Sequence, residues 1–106
     1  MAQSLQFRNK LSVKERFEDD FHFEGIKIKQ SLETEPPSCV YDAAIVMAQY
    51  LERKGELTGA RLLELGAGCG FTGVYLAQKV KLQKVLMTDV DSVVPLIREN
   101  IELNGL

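Results

Sequence analysis

The sequence predicts an α/β protein whose parallel sheet the chain leaves incomplete. Three observations carry this. A glycine-rich turn, "ELGAGCG", leads from an apolar strand into a helix, a second apolar strand follows that helix, and amphipathic segments flank both strands. A strand–helix–strand unit with a crossover of this length is right-handed and parallel, and helices on both sides of it make a layered sheet. At 106 residues the chain has the length of one small domain, the usual range being roughly 50 to 250 residues.

Residues 1–18 read as an irregular lead-in, with Leu11, Val13 and Phe17 as points of apolar attachment, and 19–106 as the folded part. In "FHFEGIKIKQS" the apolar residues Phe21, Phe23, Ile26 and Ile28 alternate with polar ones around Glu24-Gly25, which predicts a hairpin. "LETEPPSC" holds consecutive prolines and no periodicity, so it is a loop. From Asp42 the pattern turns helical: Ala44, Met47, Ala48 and Leu51 share a face, Asp42 is placed to accept free helix N–H groups, and Arg53-Lys54 precede a terminal Gly55.

"ARLLEL" is the strand that enters the glycines, and Gly70 to Lys79 form the next helix, with Val74, Tyr75, Leu76 and Ala77 on its apolar surface. Lys84 to Thr88 read as a second buried strand. Asp91 and Ser92 are expected to cap a last helix that carries Val94, Ile97 and Ile101 on one side, tolerates Pro95 in its first turn and stops at Asn104-Gly105. A further parallel strand is expected after Leu106, because two parallel strands do not complete a layered domain. Unpaired edges and apolar faces left in this way favour association.

Apolar residues make up 45% of the chain and charged residues 26%, which places it with soluble globular proteins rather than disordered ones. Lys and Arg number 13 against 15 Asp and Glu. Such a balance offers no positive field for a nucleic acid or an anionic membrane, so neither is expected as a partner. Cys39 and Cys69 make no disulfide framework, and without a His cluster or C-x-x-C spacing no metal site is expected. The N-terminus has no secretory apolar run and no segment is long enough to span a bilayer, so a cytoplasmic location, with the nucleus as a second, is expected.

The glycine turn decides the ligand class. Gly66 lets the chain leave the strand tightly, Gly68 removes a side chain where a ligand would lie on the backbone, and Gly70 brings the helix close to the strand. No Lys-Ser or Lys-Thr follows, so this is no phosphate loop, and Phe71 stands where a dinucleotide fingerprint needs its third glycine. Glu64, two residues before the first glycine, would repel a pyrophosphate and attract a cation. Asp89 ends the second strand about twenty residues beyond the turn, where a carboxylate accepts ribose hydroxyls. A phosphate-free, positively charged adenosine compound satisfies all of these features, and S-adenosylmethionine is that compound. Against this stand plainer readings: a glycine turn can serve packing alone, Asp91 reads as a cap, Cys69 as a small loop residue, His22 as structural or exposed, and Phe21, Phe23 and Phe71 as core.

On four motifs, "FEGIKIKQS", "VYDAAIVMAQYLE", "RLLELGAGCGFTG" and "LMTDVDSVVPLIRENIELNG", the chain resembles the class I, seven-stranded S-adenosylmethionine-dependent methyltransferases. Within them it is similar to the small protein-lysine methyltransferases of non-histone substrates, over Phe21 to Leu106. The resemblance implies the N-terminal half of a Rossmann-like domain: β-hairpin, helix, then β-α-β-α. It implies that Glu64, Gly66, Ala67 and Gly68 hold the methionine end of the cofactor and Asp89 its ribose. Tyr41 stands where the family usually has a tryptophan, and keeps an aromatic face of smaller area. The implied partner is a protein carrying the acceptor lysine. Transfer to an amine needs alignment and desolvation rather than a protein nucleophile, and no acceptor-side residue can be named in this chain, so independent turnover is not expected of it. Other acceptors (a protein arginine, a small amine, a hydroxyl), a non-catalytic role beside a related methyltransferase, and an NAD-binding half-domain are the competing readings.

Overall fold

Strands β1 (Phe21–Phe23) and β2 (Ile26–Ile28) pair antiparallel in the computed structural model, which describes Arg16, Phe17 and residues 20–106. Both turn residues, Glu24 and Gly25, have positive φ (47° and 83°), the two-residue turn whose twist matches a hairpin. Of the lead-in, Leu11 and Val13 lie outside the described residues. Phe17 does attach: its ring lies 5.5 Å from that of Tyr41. The loop that follows β2 is closed at its base by paired backbone bonds between Ser31 and Ser38.

Helix α1 (Asp42–Lys54) ends, as its sequence requires, at a left-handed Gly55 with φ 72°. Its start differs from expectation. Tyr41 holds the N-cap position without a side-chain bond, and Asp42 is the first helical residue, its carboxylate 3.4 Å from the Arg16 guanidinium. An acid in the first turn still meets the positive helix end. The buried face is also rotated: Ile45 and Ala48 are buried, Ala44 and Leu51 half-buried, and Met47 is 55% exposed.

Strand β3 (Arg61–Glu64) pairs in parallel with β4 (Lys84–Met87), with Leu63 opposite Leu86 and Glu64 opposite Met87. Helix α2 (Phe71–Lys79) crosses between them, and α3 (Val94–Leu103) closes the chain. The sequence order predicts helices on both faces of the sheet. The described residues cover one: Leu62, Glu64, Val85 and Met87 are half-buried, whereas Leu63 and Leu86 are 59% and 51% exposed. Both strands are therefore half-buried rather than buried. Asp91 and Ser92 do not cap α3 either. The turn from Val90 to Val93 turns backbone carbonyls toward the helix, so Leu96 and Ile97 donate to Val93 O and no side-chain oxygen is needed.

The core joins hairpin and helices. Ile26 and Ile28 pack with Val40, Ile45, Val74 and Leu76, and the Phe71 ring meets Phe21 edge-on at 5.7 Å and Phe23 at 6.0 Å. On α2 the Tyr75 hydroxyl lies between two carboxylates, Glu24 at 2.9 Å and Glu52, and so ties the hairpin turn to α1. Burial, and then the two anions, raise its pKa, which keeps the proton on the oxygen as a donor. Tyr75→Phe is expected to lower unfolding free energy by about 1–2 kcal/mol, the scale of a hydrogen bond to a charged, partly hydrated partner. Urea denaturation checks this, and an unchanged midpoint would deny the bond any weight.

Candidate functional site: the glycine bend and its cavity

The bend begins where β3 stops. Gly66, Gly68 and Gly70 all have positive φ (65°, 59° and 90°), a conformation in which any Cβ is strained, so this backbone path depends on its alternate glycines. It is pinned to the neighbouring strand: Ala67 N–H donates to Thr88 O at 2.9 Å, and Thr88 returns its N–H and its hydroxyl to Glu64 O, each at 2.9 Å. Gly70 N–H closes the turn onto Ala67 O at 2.9 Å.

Asp89 completes the arrangement. Its carboxylate accepts Gly68 N–H at 2.8 Å through Oδ2 and Val90 N–H at 2.7 Å through Oδ1. The Gly68 amide is thus already engaged by the acid. Each carboxylate oxygen keeps a lone pair for a further donor.

A cavity of about 660 Å³ opens over the bend, within the range of small-molecule sites. Its walls bring together Tyr41, Glu64, Gly66, Ala67, Gly68 and Asp89, from three separate stretches of sequence. They also include residues that sequence reasoning did not assign to a site: Met47 and Leu51 of α1, the Pro36–Ser38 loop and Cys39. Asp91 is exposed and lines no part of it. Among the described residues no lysine or arginine lines it.

Glu64 gives the cavity its electrostatic character. Burial pushes its carboxyl pKa up, hydrogen bonding from the Gly73 amide opposes the rise, and Oε1 is buried without a close hydrogen-bond partner among the described residues. A buried acceptor without a donor is costly, and a cationic N–H group is the partner that relieves it most. Cys69 contributes no nucleophile, since burial drives its thiol pKa up to about 12. Among the described residues no group of three or more His, Cys, Asp or Glu is placed to hold a metal ion.

The sequence points to Gly70 for the close approach of helix and strand, but in the structure the tighter contact is at Gly73, about one turn on. A Cβ at Gly70 would meet Ile97 Cγ2 and Met87 Sδ at 3.5 Å, an ordinary contact, whereas one at Gly73 would overlap the Met87 sulfur and lie 2.6 Å from its Cγ. The available signal was a glycine inside a helix, where it costs about 1 kcal/mol relative to alanine unless packing requires it.

Fold and site define a Rossmann-like α/β protein with a strand–glycine bend–helix binding unit. The chain belongs to the lysine methyltransferase family, whose model matches residues 20–106. Over 66 residues it is 38% identical to the Protein N-lysine methyltransferase METTL21A of Xenopus tropicalis, which covers 61% of this chain and 30% of that protein. Over 68 residues it is 34% identical to the Protein-lysine N-methyltransferase EEF2KMT of Homo sapiens, covering 62% of this chain and 21% of that one. These matched stretches span less than a third of either relative.

Proposed function

We propose that this chain carries the S-adenosylmethionine-binding half of a protein-lysine N-methyltransferase. The observation that carries the reading is the cavity's charge pattern: a half-buried carboxylate, Glu64, at one end, a second carboxylate, Asp89, just beyond the next strand, and no cationic side chain among the described residues of the walls. A pyrophosphate would meet two anions there. An ammonium group and a ribose diol meet two acceptors.

In this reading the Glu64 carboxylate, which lines the cavity, takes the ammonium of the methionine end. Asp89 accepts ribose hydroxyls with its remaining lone pairs while the Gly68 amide holds it in place. Gly66 and Gly68 leave space for the ligand: a Cβ at either would meet nothing within 4 Å. Tyr41, half exposed at the rim, offers a ring face. The bound cofactor supplies an electrophilic methyl group. The chain's own contribution is to bind and orient it, and to exclude water with Met47, Leu51 and Leu62. The acceptor is a lysine ε-amine on a protein, delivered to the open side of the cavity. We assign this work to the cytoplasm or nucleus, where thiols such as Cys39 and Cys69 remain reduced.

Titration calorimetry of the full chain with S-adenosylmethionine and, separately, with NADH tests the reading. Heat with the first and none with the second is expected. A folded chain that binds neither, or prefers the dinucleotide, would overturn it.

A further inference from the structure

Helix α3 and its C-cap present Asn100 and Asn104, four residues apart, to the free edge of β2 and the residue that follows it. Asn104 Oδ1 accepts Lys27 N–H at 2.9 Å and its Nδ2 donates to Lys27 O at 2.7 Å. Asn100 repeats the pattern on Lys29: Oδ1 accepts the N–H at 2.8 Å and Nδ2 donates to the carbonyl at 3.0 Å. Each carboxamide thus pairs with both backbone groups of one residue, as a neighbouring strand would.

The two then part company. Asn100 is completely buried, and the second hydrogen of its Nδ2 goes to Cys69 O at 2.8 Å, inside the glycine bend. Asn104 spends its second hydrogen within its own helix, on Asn100 O at 2.7 Å. Because a backbone N–H and a backbone carbonyl fix which end of the amide is which, the orientation of Asn100 is unambiguous. Cys69 lies between Gly68, whose amide holds Asp89, and Gly70, whose amide closes the turn. Among the described residues no other group from outside the bend bonds that carbonyl, and the bend's glycines have the least intrinsic preference for any one path.

We propose that Asn100 is a positioning residue for the cofactor site: by holding the Cys69 carbonyl it sets the path of the bend and, through Gly68, the aim of Asp89. That the ligand is S-adenosylmethionine rests on the function proposed above. The hold on the bend does not. Asn100 touches no ligand and lines no part of the cavity, so it acts only through the loop.

Asn100→Asp isolates this role. The carboxylate keeps the acceptor for Lys29 N–H but loses both donors, facing two carbonyls with a negative charge. Burial and those carbonyls raise its pKa. On acidification the protonated form regains one O–H, which can return to Cys69 O. The control is Asn104→Ala, which breaks the equivalent strand-edge pairing without touching the bend.

Amide exchange of the full chain, compared with wild type at each pH, is the primary measurement. At pH ~8, Asn100→Asp is expected to lower protection of the Gly68 and Gly70 amides about 10-fold, the equivalent of one hydrogen bond. At pH ~5 the deficit is expected to shrink to about 2-fold. S-adenosylmethionine affinity relative to wild type follows the same course. Asn104→Ala is expected to leave both amides within about 2-fold while lowering the melting temperature. Equal loss of loop protection in the two variants, or a deficit in Asn100→Asp that ignores pH, overturns the proposal. Absence of cofactor binding by wild type would count against the proposed ligand alone, since the exchange measurement judges Asn100 without it.

Discussion

Glu64→Gln is expected to weaken S-adenosylmethionine binding about 10- to 100-fold, the scale of a hydrogen bond between charged partners in a partly buried site. Methylthioadenosine, which lacks the amino-acid end, is expected to bind both forms within about 2-fold, because the contact removed belongs to the ammonium group. Calorimetry with the two ligands reads the difference, and an equal loss for both would mean that Glu64 shapes the cavity rather than holding a cation. Stability moves the other way. Burial raises the carboxyl pKa in the folded chain, so between the unfolded and folded values the folded state holds more protons. Unliganded stability therefore falls as pH rises through that window. Glutamine removes this dependence, and the variant is expected to melt no lower than wild type at neutral pH and to show a flatter profile as pH rises above the ordinary carboxyl range. On the acid side of the raised pKa the wild-type carboxyl takes up a proton, and its advantage in binding the cation disappears.

Gly73→Ala is expected to destabilise the chain by about 1–3 kcal/mol, the usual cost of overpacking. Two effects compete there. Alanine in a helix interior gains about 1 kcal/mol over glycine. Against it, the new methyl would overlap the Met87 sulfur, and it would stand 2.6 Å from Met87 Cγ and 3.1 Å from Glu64 Oε1. Overlap wins, because the thioether is confined between α2 and β4 and the mid-chain Cγ must move with it. Met87→Ala removes the obstructing atoms. In that background Gly73→Ala is expected to change sign and stabilise by up to about 1 kcal/mol, the two changes being strongly non-additive. A double-mutant cycle by urea denaturation checks this; simple additivity would show that the two residues do not meet.

The bend was the most legible part of the sequence, because alternate glycines between a strand and a helix have few other uses. Glu64 and Asp89 could be placed at its two sides from their positions at the ends of the two strands, and both line the cavity. What the sequence withheld was the division of labour. Asp42 and Asp91 look alike as helix-start acids, yet one is turned to Arg16 and the other stands in a turn whose carbonyls already serve the helix. Met47 fits the apolar face of α1 by spacing, but the helix rotates to set Ile45 and Ala48 inward and leaves Met47 at the cavity. Asn100 reads as an ordinary polar residue near a helix end. Its side chain makes three bonds to two residues, Cys69 and Lys29, 31 and 71 positions away in loop segments that periodicity does not relate to it.

The paired carboxamides on α3 have a consequence for how a polypeptide can be received. Many binding domains capture an extended peptide by letting it join a sheet margin through main-chain bonds. Along β2 that margin is already taken, since Lys27 and Lys29 have each committed both backbone groups to α3. An extended peptide cannot join the hairpin along β2, so recognition on that side is left to side chains, with Lys27 and Lys29 exposed on a surface whose backbone is closed.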